Sequence, residues 1–417
     1  MGRLNKRALI RQLQKVGVSS RAGLAGSLGM SQPTAGKIVD ELLDLKILEE
    51  VGLTSEVNEA GMAQPGRPRR QIRLNRSRSS FLGIQMGVAE TCVAELPLGV
   101  TDLDEWHISF ATSPASGNSA KEWAGQLRKA KENLRTKSFS GVILSVPGVV
   151  DECAGRVLFS PNVHWSEAAD LVALVRGIWN VPVVLVQEER ALALGHQINC
   201  PECEDFLLVD FGEGVGGSVI VNGKPFANPL PISGELGHTP VLGNQRRCGC
   251  GAVGCVETLV STRGLLESFA AAVPGKPKSW NVLKSHLAAN GVEPWLALSL
   301  DAAAVAIAGA LNVLGLRQVV ITGALTELSP SVLKYLSVAV ATGSMWARFG
   351  EVICIGAPRR RAAGLAAVGI DRLVVPEMEA GAAPGTISEK SARFRLRARK
   401  STGAAVALAP AKLPQYL

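Results

Sequence analysis

Four residues between positions 238 and 255 have the types and spacing of a metal site. Cys248, Cys250 and Cys255 crowd into eight residues, and His238 lies ten residues before the first of them. A Cys-x-Cys pair is too tight for an ordinary disulfide, because side chains so close in sequence rarely reach that geometry. The same spacing lets thiolates converge on one cation. One imidazole and three thiolates make a closed tetrahedral set, the usual form of a structural zinc site. Gly249, Gly251 and Gly254 let the backbone fold tightly enough to bring the sulfurs together. The alternative is three reduced cysteines in a glycine-rich loop with His238 elsewhere. A second close pair stands in Cys200-Pro-Glu-Cys203. No matching donors flank it, so neither a second metal site nor, in a reducing compartment, a disulfide is expected there.

These residues sit in a chain of 417, too long for one ordinary core, so two or three domains are expected. The chain opens without a charged segment leading into an apolar one, so no signal peptide and a cytoplasmic location are expected. The longest uncharged apolar run, Ala302 to Leu316, is short of the roughly 20 residues a membrane span needs and is read as a buried helix. Charge is uneven. Residues 1–80 hold fourteen Lys and Arg against seven Asp and Glu, and residues 376–417 hold seven against three. The net charge of +8 therefore resides in the two ends, and the centre is slightly acidic. Only the head is expected to meet a polyanion.

The head, residues 1–75, reads as a winged helix-turn-helix. Asn5 to Val16 carries Leu9, Leu13 and Val16 on one helical face. Ser20 caps a short second helix through Leu28, with Leu24 and Leu28 inward, and Gly29 breaks it. Ser31 caps a third helix with Pro33 in its first turn, where a missing N–H does no harm. Ala35, Ile38, Val39 and Leu42 form its buried face. Ser31, Gln32, Thr34 and Lys37 stay off that face, near the end that enters the major groove of double-stranded DNA. Ile47–Val51 and Gln71–Leu74 read as wing strands. Between them Arg67, Arg69 and Arg70 suit a narrow minor groove. A small helical interaction domain with a solvated basic loop is the competing reading.

The motif GELGH, Gly234 to His238, followed by CGCG-x-x-GC-x-E, Cys248 to Glu257, resembles the ROK family of sugar kinases and sugar-responsive repressors. The resemblance covers residues 1 to about 375. It implies an α/β architecture: a winged helix-turn-helix head followed by a two-lobed, actin-like (ribonuclease H-like, sugar kinase) body over 80–375. It implies Zn2+ on His238, Cys248, Cys250 and Cys255. It also implies a sugar pocket lined by Glu235, His238 and Glu257, with Gln187 and Glu188 where kinases carry an Asn-Asp pair whose Asp is the general base. Residues 376–417 read as a basic, disordered tail.

Against that family pattern, the nucleotide side departs at three places. Gln85-Met86-Gly87-Val88-Ala89 stands where the kinases place Asp-x-Gly-Gly-Thr. Glu213 replaces the Thr of a second phosphate loop in Leu207–Gly217, and Ala324 replaces a Gly after Val319. A phosphate loop needs bare backbone N–H groups, and a carboxylate at short range from phosphate is strongly unfavourable. No catalytic residue is therefore expected. The expected function is DNA-binding transcriptional regulation, as a repressor, by a homodimer or homotetramer with a sugar or sugar-phosphate effector. A sugar kinase with a DNA-binding head, or a constitutive DNA-binding protein whose body only dimerises, are the alternatives.

Overall fold

The computed structural model describes residues 2–54, 69–76, 79–99, 107–113, 119–136, 138–200, 202–226 and 232–374. In the head, α1 (Gly2–Val16), α2 (Arg21–Ser27) and α3 (Gln32–Asp44) pack on a three-stranded antiparallel sheet. Its strands are β1 (Val18–Ser20), β2 (Leu48–Thr54) and β3 (Arg69–Leu74), in the order β1-β3-β2. Both serine caps form: Ser20 Oγ accepts from Gly23 N at 3.0 Å, and Ser31 Oγ from Thr34 N at 3.3 Å. Each supplies one of the donors' partners that a helix start lacks. Gly29, at φ +61°, makes the turn between α2 and α3. Leu9, Leu13, Leu24, Ala35, Ile38, Val39 and Leu42 are buried as their spacing requires. Val16 is not: it is 46% exposed, because α1 ends there and the chain turns away into β1. Leu28 is only half-buried, one residue beyond the end of α2. Strand β1 has three residues and no legible alternation, and pairing with β3 defines it. The wing segment with Arg67, and the 376–417 tail, lie outside the described residues.

The body consists of two lobes with the same strand topology. In the first, β4 (Ser79–Met86), β5 (Glu90–Pro97) and β6 (Ile108–Ala111) form an antiparallel run. Then α4 (Ser119–Asn133) precedes β7 (Gly141–Val146), which pairs parallel to β4. The hairpin β8 (Val149–Asp151) and β9 (Arg156–Phe159) follows, then α5 (Leu171–Trp179) and β10 (Val183–Gln187), which is parallel to β7. The order is β10-β7-β4-β5-β6. After α6 (Glu188–Asn199) the second lobe repeats the plan. β11 (Phe206–Phe211), β12 (Val215–Val221) and β13 (Lys224–Pro225) are antiparallel. Four helices follow: α7 (Glu257–Val260), α8 (Thr262–Ala272), α9 (Trp280–Asn290) and α10 (Pro294–Leu314). They lead to β14 (Gln318–Gly323), α11 (Pro330–Gly343), β15 (Ile353–Gly356) and α12 (Arg361–Gly369). That order is β13-β12-β11-β14-β15, with β11, β14 and β15 parallel. This duplicated arrangement is the two-lobed actin-like fold. The central strands β7 and β11 are buried along their whole length, as strands covered on both faces must be.

One apolar cluster continues from the head into the body. It joins Leu9, Ile10, Leu13 and Ile38 to Phe81, Leu96, Ala362 and Leu365. Fully burying each large side chain contributes about 1.5–3 kcal/mol. The exposed pairs Arg11–Asp371 at 2.8 Å and Lys15–Glu204 at 3.6 Å add little beside that.

Two expectations need correction. Helix α10 is not buried all round. It is the one described helix long and apolar enough to cross a membrane, but half of it packs in the body core while Leu298, Val305 and Val313 are 72%, 72% and 86% exposed. Apolar residues lie on its outer as well as its inner face, so composition could not separate the two. Cys200 and Cys203 are joined in a disulfide. After α6 ends, a turn closed by Cys203 N donating to Cys200 O at 2.9 Å sets their Cα atoms 5.4 Å apart, within bridging range.

Candidate ligand cavity and metal centre

The lobes face each other across a cavity of about 320 Å³, near the lower end of small-molecule sites. One wall is the tight β11–β12 turn, and another is the start of α6. The segments 160–162 and 235–238 and the start of α7 close it. Glu188 begins α6 and is buried. Its Oε1 accepts from Gln85 Nε2 at 3.1 Å and from Arg361 Nε at 2.8 Å. Gln85, at the end of β4, thus holds the carboxylate that a second acid there would repel. Glu257 begins α7, and its Oε2 accepts from Val215 N at 2.9 Å. Glu235 Oε2 lies 3.6 Å from His238 Nε2. Burial, and the Glu257 carboxylate, raise the Glu235 pKa against the lowering pull of His238.

The glycines of the β11–β12 turn make room for side chains. A Cβ on Gly216 would stand 2.6 Å from Glu189 Oε1, and one on Gly214 would stand 3.1 Å from Glu257 Oε2. One on Gly212 would meet the Arg359 guanidinium at 2.7 Å, and Gly323 also abuts that group. Arg359 forms a two-point ion pair with Asp210, Nε to Oδ1 at 2.7 Å and Nη2 to Oδ2 at 2.9 Å, and Thr322 Oγ1 donates to the same carboxylate at 2.7 Å. Burial alone would raise the Asp210 pKa. The charge and hydrogen bonds of Arg359 outweigh it and hold the carboxyl below its ordinary value. Burial, reinforced by Glu188, pushes Glu189 well above the usual carboxylate range, and its Oε2 has no hydrogen-bond partner among the described residues.

Seven acidic side chains line the cavity: Glu90, Glu188, Glu189, Asp210, Glu213, Glu235 and Glu257, of which Glu189 is driven toward its neutral form by burial. Two guanidiniums, Arg359 and Arg361, face them, and both are already engaged with carboxylates. The surplus is negative.

Beside the cavity, His238 and the three cysteines come together. One ligand atom from each lies within 4.8 Å of all the others. Cys248 Sγ is 3.6 Å from His238 Nδ1, and Cys250 Sγ is 3.7 Å from Cys255 Sγ. A tetrahedron with zinc–sulfur bonds of about 2.3 Å has sulfur–sulfur edges of about 3.8 Å, so the donors fit that ion. The ring of His238 turns Nδ1 to the sulfurs and Nε2 to Glu235.

The ROK family model matches residues 82–355. The chain belongs to the ROK family. Among curated ROK proteins it is 24% identical to the xylose repressor of Caldicellulosiruptor bescii over 267 residues, 63% of this chain and 65% of the relative. It is 25% identical to the xylose repressor of Bacillus subtilis over 276 residues, covering 64% and 68%. It is 26% identical to the DNA-binding transcriptional dual regulator NagC of Escherichia coli over 270 residues, covering 63% of each chain. The matched stretch thus spans about two thirds of these relatives' lengths. Among solved structures, a ROK family transcriptional regulator, a homologue of the E. coli MLC protein, matches 88% of this chain and 95% of its own. Its TM-score is 0.68 at 20% identity. A ROK glucokinase from Streptomyces griseus, in complex with glucose and AMPPNP, matches 69% of this chain and 96% of its own, with a TM-score of 0.54 at 21% identity. At these identities the structural matches speak to the fold.

Of the sugar-site residues read from the ROK resemblance, Glu188, Glu235, His238 and Glu257 line one cavity. Gln187 does not join them: its side-chain amide donates to Ser233 O at 3.3 Å, because the strand end points it away from Glu188. In the head, Ser31, Gln32, Thr34 and Lys37 are exposed around the start of α3, and Ser31 and Thr34 hydroxyls share a hydrogen bond of 2.8 Å. Arg70 is exposed and pairs with Glu50 at 2.6 Å. Arg67 and the side chain of Arg69 lie outside the described residues. Sequence reasoning missed Glu189, Asp210, Arg359 and Arg361. Glu189 carried a signal, a second acid directly after Glu188, whereas the arginines sit 149 and 173 positions from their partners.

Proposed function

We propose that this ROK protein is a cytoplasmic, sequence-specific DNA-binding transcriptional repressor with a structural zinc and an unphosphorylated sugar as effector. The observation that carries the reading is what fills the phosphate-loop glycines: carboxylates and the Asp210–Arg359 pair occupy the space beside Gly212, Gly214, Gly216 and Gly323. A nucleotide phosphate would meet side chains there, and a sugar phosphate would meet uncompensated carboxylates. Hydroxyls, by contrast, can donate to several carboxylates at once. The relatives named for xylose and N-acetylglucosamine repression support a sugar-responsive repressor. Zinc on His238, Cys248, Cys250 and Cys255 would tie the loop before Glu257 to the cavity wall. Glu188 stands at the kinase base position, but Gln85 and Arg361 hold it, so no phosphoryl transfer is assigned.

Recognition is placed on Ser31, Gln32, Thr34 and Lys37 of the capped third helix, with Arg67, Arg69 and Arg70 of the wing on the backbone or minor groove. A homodimer or homotetramer would present two heads to a palindromic operator. The exposed apolar side chains Val305 on α10 and Val338 on α11, which line one groove, support a subunit contact there.

The DNA reading is tested by anisotropy titrations of the chain's own upstream region across salt concentrations. Arg67→Ala should weaken binding and lower the salt slope by about one unit, as loss of one phosphate contact does, whereas Lys37→Ala should weaken binding and relax specificity. Wild-type affinity equal to that for random duplex at every salt concentration rejects specific recognition.

The effector reading is tested by calorimetric titration of neutral monosaccharides and their phosphates, with an ATP-coupled turnover assay on each. A neutral sugar should bind at least tenfold tighter than its phosphate, without turnover. Glu257→Gln should weaken it about 10- to 100-fold, the scale of one hydrogen bond to a charged group. Tighter binding of the phosphate, or turnover lost in Glu188→Gln, would sink this reading. No sugar bound at millimolar levels leaves the body as a dimerisation scaffold.

A further inference from the structure

The last turn of α6 and the segment after it gather donors that neither the cavity nor the His238 cluster uses. A ring nitrogen of His196 and the sulfurs of Cys200 and Cys203 all lie within 4.8 Å of one another. His196 is only 7% exposed, and its Nε2 is a buried atom with no hydrogen-bond partner among the described residues. Leaving such a group unpaired costs about 1–3 kcal/mol, so something is expected to complete it. Glu202 Oε1 lies 3.2 Å from Cys200 Sγ. In sequence the donors read His-x3-Cys-x2-Cys: one helical turn separates His196 from Cys200, and the turn after α6 returns Cys203 to the same point.

We propose that, once the Cys200–Cys203 disulfide is reduced, His196, Cys200 and Cys203 hold a second zinc-class divalent cation, with the Glu202 carboxylate in reach as the fourth donor. Imidazole and thiolates are the donor types that select such ions. The surroundings are those of a site that orients its ligands. The His196 ring packs edge-on against Phe206, centroids 5.2 Å apart, and Gln318 Nε2 donates to Cys203 Sγ at 3.5 Å. The chemistry balances simply. A two-electron reductant cleaves the sulfur–sulfur bond to two thiols: a cellular dithiol closes to its own disulfide, or a phosphine takes oxygen from water. The cation then displaces the two thiol protons to solvent. The site lies at the opposite end of α6 from Glu188, on the segment whose Glu204 pairs with Lys15 of the head.

The test is zinc analysis of the full-length chain after phosphine reduction, zinc loading and dialysis, with circular dichroism as the control of folding. Reduced wild type is expected to carry two zinc ions per chain. Cys203→Ser and His196→Gln should each carry one, the second variant keeping both cysteines and their redox chemistry. Cobalt loading should show thiolate-to-metal absorption that falls in each variant but does not vanish, because the His238 cluster remains. One zinc in reduced wild type, or two in both variants, overturns the proposal.

Discussion

Cys255→Ser is expected to empty the His238 cluster of zinc and to disorder the segment from Thr239 to Val256. Little else holds that segment. Its backbone makes a few turn bonds, such as Cys248 N to Ala252 O at 2.9 Å and Gly254 N to Arg246 O at 2.9 Å, and two isolated bridges, Pro240–Cys255 and Arg247–Val253. Leu242 and Val253 point outward, and apolar burial is confined to its two ends, where Val241 and Val256 reach the lobe core. Two side chains tie it to the helices behind: Arg246, through Thr258 O at 2.8 Å and Ser268 Oγ at 2.9 Å, and Asn244, whose Nδ2 donates to Thr258 Oγ1 at 2.9 Å. Structural zinc supplies about 10–16 kcal/mol of apparent binding energy in small peptides, far more than these contacts. The lobe core around β11, β14 and α10 should survive, since none of its members is a zinc ligand. Zinc per chain, protease cleavage within 239–256 and the thermal midpoint are the measurements. Glu257 follows Cys255 by two residues, so sugar binding should fall with the metal. Unchanged zinc content and midpoint would reject the assignment.

Arg359→Ala should destabilise the second lobe by about 3–5 kcal/mol, the scale of removing one partner of a buried ion pair. The side chain of Asp210 is 10% exposed, and it would keep Thr322 alone. For a domain of 150–250 residues this corresponds to a fall in thermal midpoint of roughly 6–20 °C. The pH dependence gives a second readout. In wild type the Asp210 pKa is depressed. Its contribution is therefore complete above the unfolded value, about 3.9, and is lost as pH falls through the folded one. In Arg359→Ala, burial is opposed only by Arg361 and the Thr322 hydrogen bond, so that pKa rises and the variant regains stability as pH falls toward the unfolded value. The gap between the two proteins should narrow on acidification. Asp210→Asn with Arg359→Met should recover much of the loss. A midpoint and pH profile identical to wild type would refute the pairing.

Much of this was legible in one dimension because the physics was local. The caps at Ser20 and Ser31, the break at Gly29 and the 3.6-residue spacing of Ala35, Ile38, Val39 and Leu42 are decided within a helical turn or two. The Cys-x-Cys pair with Cys255 is local as well, and its glycines permit the tight loop. Glu188 and Glu257 were readable from their places in the ROK motifs, and Glu213 as a departure from the second phosphate-loop pattern.

What the chain order could not show was what would stand opposite those groups. Folding brings Arg359 and Arg361 from the far end of the body onto Asp210 and Glu188, and no periodicity links residues so distant. The same long-range packing sets Glu257 beside Gly214 and Glu189 beside Gly216. It leaves the outer face of α10 exposed despite its composition. Local propensity determined where helices, turns and metal donors lie. Charge pairing and burial across the two lobes, which only the tertiary structure could settle, decided what the cavity can hold.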